Sequence, residues 1–265
     1  DTIYMHIWPN AYKDNSTALA KQLLLLGETK LYFSKEEERG YIDSLNFLVD
    51  NKPVRWQYHP LHHDICYLVL NTPLSAGATC TITTPFFVKL PDAKFSRLGH
   101  TDQAYFITQW YPKPAVFDHK GWHAMPYLNQ GEFYSEYGSF NVFITLPKNY
   151  LLAATGDRID AEEENAFLDK KVAETKAHIK NDSRYDFGMN FPPSSHDTKT
   201  IHFRQYRVHD FAWFADKRFY VCKDQIELPE SKRLVDTWVF FTGKRFSMWK
   251  EAINYVNEST YFYSF

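Results

Sequence analysis

TQWYPKPAVFDHKGWHAMPYLNQGEFYSEYGSFNVFITLPKNYLLAATG, residues 108–156, is the stretch on which the fold class turns. From Phe140 onward the side chains of Phe140, Val142, Ile144 and Leu146 fall on one face, and those of Asn141, Phe143 and Thr145 on the other. A period of two is a strand lying on a core. Pro147 and Asn149 end it, and Gly156 closes the short strand that follows. The part before it is expected to be an irregular loop. So many Trp, Tyr and Phe side chains need something to pack on.

Working outward, the same alternation recurs. Residues 3–8 (IYMHIW) and KLYFSKEE (30–37) are expected strands. SLNFLVDNKPVRWQYHP (44–60) is an expected hairpin turning at Asp50-Asn51. ICYLVLN follows, and then ATCTITTPFFVKLP, in which Cys80, Ile82, Thr84, Phe86, Val88 and Leu90 share a face. Pro85 inside that run points to an edge strand or a bulge. Strands are expected again in KTIHFRQYRV, DFAWFA, RFYVCK and LVDTWVFFTG. Residues 181–198 are loop by composition.

Helices are few. Residues 15–26 carry a helical pattern capped by Asn15 or Ser16, and 160–180 form a surface helix with Asp160 as cap and Glu163 three residues on. On that helix Leu168, Val172 and Ile179 share a face. The last helix starts near Ser247 with Trp249, Ile253, Val256 and Thr260 in line, and runs into Tyr261, Phe262, Tyr263 and Phe265. The expected fold is mainly β, an antiparallel sandwich with a few short helices and a C-terminal helix. Residues 1–242 are read as the β domain and 243–265 as the first helix of a further domain. The alternative is a terminal helix docked on the sheet.

Composition excludes several functions. With 22 Phe and 18 Tyr, the chain leans toward β structure. A net charge of −2 and no long basic run argue against nucleic acid as partner. No apolar run is long enough to span a membrane. Cys66, Cys80 and Cys222 form no C-x-x-C pair, and Cys66 and Cys80 read as core residues rather than a disulfide. The first residue is Asp1, and an exported, periplasmic location is expected over a cytoplasmic one.

Candidate chemistry is sparse. His119 and His123 stand four apart beside Asp118, but Gly121 lies between them and Pro114 and Pro126 flank them, so the helix that would align two zinc ligands is not expected. Lys120 follows His119 where a metallopeptidase helix would have its glutamate. Loop hydrogen bonds and packing are the expected roles. His59, His62 and His63 sit on a Pro60 turn. Glu36–Glu38 and Glu162–Glu164 are expected to be solvated faces. There is no G-x-S-x-G elbow, phosphate loop or dinucleotide fingerprint. No catalytic residue and no metal ligand is assigned.

TQWYPKPAVFDHKGWH, GEFYSEYGSFNVFITLPKNYLLAATG and RVHDFAWFADKRFYV, in this order, together resemble the amino-terminal domain of aminopeptidase N-type zinc metallopeptidases, in a bacterial branch with a W-Y-P loop. HIWPNAYKDNSTALAKQ and LNTPLSAGATCTITTPFFVKLP fit the same domain, and the resemblance covers residues 3–220. It implies a saddle-like, twisted antiparallel β domain over a downstream zinc domain. The zinc, its ligands and the general base would all lie in that downstream domain, so no cofactor is expected in this chain. It further implies that Gln109 and Tyr111 bind the peptide substrate's free amine, with Trp110 walling a subsite. The relatives' motif runs T-Q-x-(E/Q)-P, so Gln109 matches and Tyr111 replaces the second acceptor. The implied function is a non-catalytic, substrate-gating domain. The alternatives are a β-sandwich module binding glycan or protein, and an inactive peptidase homologue.

Overall fold

The computed structural model describes residues 1–131, 133–180, 190–243 and 246–264. The fold is mainly β, built from antiparallel pairs with few helices, as the period-two runs require. The chain divides into two compact units, residues 1–140 with 206–214, and residues 141–205 with 215–265.

In the first unit, Thr2–His6 is central to a four-stranded sheet, with Ile65–Val69 on one side and Lys113–Pro114 on the other; Arg55–Tyr58 pairs beyond Ile65–Val69. Ile3, Met5, Cys66 and Leu68 drop from this sheet into a core shared with Ile42, Phe47 and Val54. After His6 the chain leaves strand geometry at Ile7 and turns into a 3-10 helix, Trp8–Tyr12, all of it buried. Asn10 makes that burial possible. Its amide donates to the His63 carbonyl (3.0 Å) and its oxygen accepts from the Ile42 N–H (3.1 Å), so a buried polar side chain is left with partners at both ends. Trp8, Tyr12, Leu19, Leu23, Leu31, Phe95, Leu98 and Tyr127 form a second core.

In the second unit, a hairpin pairs Tyr220–Glu227 with Leu234–Phe241 over eight residue pairs. Side chains alternate across it, so both faces need cover. Helix Glu162–Lys180 covers the face of Phe219, Val221, Trp238 and Phe240, inserting Leu168 and Val172. Helix Ala252–Phe262 covers the face of Tyr220, Cys222, Val239 and Phe241 with Ala252, Ile253 and Val256. Asn257 joins helix to hairpin, accepting from the Thr237 hydroxyl and donating to the Asp224 carboxylate at 2.7 Å.

The decisive alternation is observed. Gly138–Pro147 is one ten-residue strand in which Phe140, Val142, Ile144 and Leu146 are covered while Asn141, Phe143 and Thr145 are exposed. Other expectations are corrected. Residues 30–37 form a turn and the start of the 3-10 helix Glu36–Glu38, because the Ser34 hydroxyl bonds back to the Leu31 carbonyl (2.6 Å) and Arg39 takes the Ser34 carbonyl (2.7 Å). Helix Ala18–Leu25 is capped by Thr17, whose hydroxyl accepts from the Ala20 N–H; Ser16 is occupied by Asp14. Asp50 and Asn51 do turn a hairpin, both with positive φ, but it holds only Leu48–Val49 and Lys52–Pro53. Arg55–Tyr58 departs to pair with Ile65–Val69. Pro85 splits its run into Ile82–Thr83 and Phe87–Lys89.

The aromatic stretch before Gly138 is less irregular than expected. It adds Lys113–Pro114 to the edge of a sheet and folds Val116–Asp118 against Gly121–His123. Asp160 has φ 47° and stands before a helix that begins at Glu162, so it does not take the cap position. Glu164 is not solvated: it is 7% exposed and paired with Lys199 at 2.5 Å. Of the expected 181–198 loop, residues 181–189 lie outside the described residues. The final segment docks through Ile253 and Val256, but Trp249 is exposed, as are Tyr255, Tyr261, Phe262 and Tyr263.

Candidate functional site

Gln109 lies two residues beyond the hairpin strand Ala104–Ile107 and sits at φ 52°, a left-handed conformation that costs a non-glycine residue about 1 kcal/mol or more. The turn sends the chain through Pro112 into Lys113–Pro114, where pairing with Thr2–His6 fixes Lys113 opposite His6. The prolines hold extended backbone on either side of Lys113. Within this unit the turn meets residues 209–211, about a hundred positions along the chain.

Asp210 is the hub. Its Oδ1 accepts from the Tyr111 hydroxyl (2.8 Å) and from the Phe211 N–H (2.9 Å). Its Oδ2 accepts from the Gln109 side-chain amide. The Lys113 ammonium lies 3.6 Å from the same Oδ2, and donates to the Gln109 Oε1 and to the Ser135 Oγ, both at 3.0 Å. A lysine only donates and a carboxylate only accepts, so these two neighbours fix which end of the Gln109 amide points where.

Burial and charge tune the cluster. The Tyr111 phenol is pushed well above its ordinary range, by burial first and then by the Asp210 carboxylate, so it stays a donor. Burial pulls the Lys113 ammonium below the usual lysine range, and Asp210 pulls the other way. The Lys113 side chain is 9% exposed and that of Asp210 23%, so the carboxylate is the charge nearer to water. Beneath them, Lys113 stands 4.6 Å from the centre of the Trp8 ring, and His6 stacks on that ring at 4.3 Å. Burial, reinforced by Lys113, takes His6 down to about 3, and its neutral Nε2 accepts from the Met125 N–H at 3.1 Å.

All three residues singled out in the sequence come to this place. Gln109 and Tyr111 meet on Asp210. Trp110 donates its indole N–H to the Phe211 carbonyl at 3.0 Å and packs among Phe86, Tyr111 and Trp213. Asp210, Lys113 and Ser135 were not singled out. The available signals were a lone carboxylate entering the apolar run FAWFA and a lone lysine framed by two prolines. Beside the hub, the Tyr137 ring lies 4.1 Å from that of His209, and Tyr137 is exposed.

The histidine pairs do other work. His123 Nε2 meets Asp118 Oδ1 at 2.8 Å across the small hairpin, and Tyr134 donates to the other Asp118 oxygen at 3.3 Å. His59 and His62 stack on their turn with centroids 5.4 Å apart. Among the described residues no three His, Cys, Asp or Glu side chains stand together as a metal-binding set. No described helix is long and apolar enough to cross a membrane. In the second unit a cleft of about 860 Å³ is lined by Phe143, Glu163, Glu164, Phe167, Lys199 and His202.

No protein-family model matches the chain. No curated protein matches it either. Among solved structures it is similar to a mutant two-domain M1 zinc metallopeptidase bound to L-arginine, at 13% identity and a TM-score of 0.37. The likeness covers 77% of this chain and spans 40% of the solved one.

Proposed function

We propose that this chain is the amino-terminal, substrate-gating β domain of a zinc-dependent aminopeptidase, and that its W-Y-P turn holds the free amine of a peptide. The observation that supports the reading is a convergence. Two of the stretches that carry the family resemblance, TQWYP and RVHDFAWFA, lie about a hundred residues apart, yet Gln109 and Tyr111 of one both bond to Asp210 of the other. An ammonium leaving water needs oxygen acceptors and a compensating charge. This cluster carries amide, phenol and carboxylate oxygens on a partly exposed face.

His123 and Asp118 are paired with each other, and among the described residues no group of three His, Cys, Asp or Glu side chains stands together. On this reading zinc and the activated water belong to a catalytic domain supplied by other residues, and no chemical step is assigned here. The role of this chain is to bind, orient and close one wall of the cleft.

The test is hydrolysis of a panel of aminoacyl-aminocoumarin substrates by the full-length gene product, with and without a zinc chelator, beside the 265-residue chain. Chelator-sensitive activity in the gene product and none in the chain is expected. Gln109→Ala is expected to lower kcat/KM at least tenfold. A folded, zinc-loaded gene product without activity would move the reading to an inactive homologue or a binding module.

A further inference from the structure

We propose that Asp210, rather than Gln109 or Tyr111, is the residue that recognises the charge of an ammonium ligand here, and that Lys113 is a resident competitor for the same acceptors. The inference rests on the amine-binding reading above and assigns its determinants. Gln109 has one of the two lone pairs of its carbonyl taken, because its Oε1 already accepts from the Lys113 ammonium at 3.0 Å. A second ammonium on that oxygen would stand beside the first, and like charges at such a distance repel. Tyr111 has committed its proton to Asp210 Oδ1, and a phenol oxygen carries no formal charge.

Among the described residues that form the cluster, Asp210 carries the one formal negative charge. A carboxylate offers about four acceptor positions. Oδ1 uses two of them, on Tyr111 and on the Phe211 N–H. Oδ2 holds the Gln109 amide at bonding distance, with Lys113 more distant at 3.6 Å. The remaining position on Oδ2 is held only by Lys113 at that longer distance, and it is the one a further donor would contest, on the more exposed partner of the pair.

Competition of this kind predicts substitutions of opposite sign, which a purely structural role would not give. The probe is 3-methylbutan-1-amine, an ammonium without a scissile bond, titrated into the full-length gene product by NMR, with 3-methylbutan-1-ol as the uncharged control. Asp210→Asn is expected to weaken the amine at least tenfold and leave the alcohol within twofold. Lys113→Met puts an uncharged side chain of similar length beside Trp8 and removes the competing charge, and is expected to tighten the amine three- to tenfold. Tyr111→Phe withdraws a proton donor from Asp210 and is expected to keep or improve affinity. Thermal melts establish that each variant is folded, and Tyr111→Phe with Lys113→Met carry the test if Asp210→Asn is not.

Amine affinity lost in Gln109→Ala and in Tyr111→Phe but kept in Asp210→Asn would overturn the inference and leave the amine site standing. Weakening by both Asp210→Asn and Lys113→Met would reduce the pair to a structural role and overturn it as well. Equal binding of amine and alcohol would remove the amine site itself.

Discussion

His6 lies nearly parallel to Trp8, ring centroids 4.3 Å apart at an angle of 18°, and both rings are buried. The stack needs a neutral imidazole, because the Lys113 ammonium stands over the same indole. Only the unfolded chain takes up a proton near pH 6.5; the folded His6 resists down to about 3. The unfolded state therefore binds more protons across that window, and the stability contributed by His6 is complete above 6.5 and falls as pH drops through it toward 3. By pH 5 the loss is about 2 kcal/mol, at 1.36 kcal/mol per pH unit. His6→Gln is expected to be less stable at pH 8 but to lose less on going to pH 5, as urea midpoints at the two values will read.

Asp64 runs the other way. It is 4% exposed, and burial lifts its carboxyl to about 6, against an ordinary 3.8. A raised acid contributes stability that is complete below 3.8 and is lost as pH rises through 6. Its Oδ2 accepts from the Tyr127 N–H at 2.7 Å, a role an asparagine oxygen can keep. Asp64→Asn is expected to gain up to about 2 kcal/mol at pH 7 and nothing at pH 4, in the same urea series.

The Glu164–Lys199 pair is a liability when halved. Glu164 is buried and Lys199 half-buried; Lys199 bonds Glu164 Oε2, and the buried Oε1 has no hydrogen-bond partner among the described residues. Lys199→Met strands a carboxylate beside Phe167 and is expected to cost about 3 kcal/mol. Combining it with Glu164→Gln should recover at least half of that in a thermal melt, since the buried charge is then gone.

Gly156 turns the chain between Leu151–Ala154 and Asp157–Ile159 at φ 90°, and an added Cβ would stand 2.6 Å from the Arg204 carbonyl. Gly156→Ala is expected to cost about 2 kcal/mol or more, through backbone strain and the clash together. A fall in melting temperature of only a degree or two would show that the turn relaxes.

What could be read from the sequence was what neighbouring residues decide. Gly138–Pro147 is legible because its own side chains alternate between cover and water. The turn at Asp50-Asn51 is legible because both residues tolerate a left-handed backbone. The strand Arg55–Tyr58 could not be partnered in advance, since Ile65–Val69 competes for it with the nearer Leu48–Val49 and wins by length. Glu164 reads as one of three surface acids until Lys199, 35 positions on, supplies the charge that lets it be buried. Asp210 is the same case at the site. Its one local mark is to be a lone carboxylate before FAWFA, and its meaning arises only where Gln109, Tyr111 and Lys113 reach it.

The hub also has a timetable. Gln109 and Asp210 are separated by 101 positions, so a ribosome adding roughly 5–20 residues per second makes the glutamine about 5–20 s before its partner. Through that interval Lys113 has no counter-charge from this cluster and its ammonium belongs in water, so the edge strand that carries it has reason to dock late. Closing a loop of this length costs entropy that no bond within the W-Y-P turn returns. The cluster is thus expected to be among the last parts of its unit to form, and among the first to open.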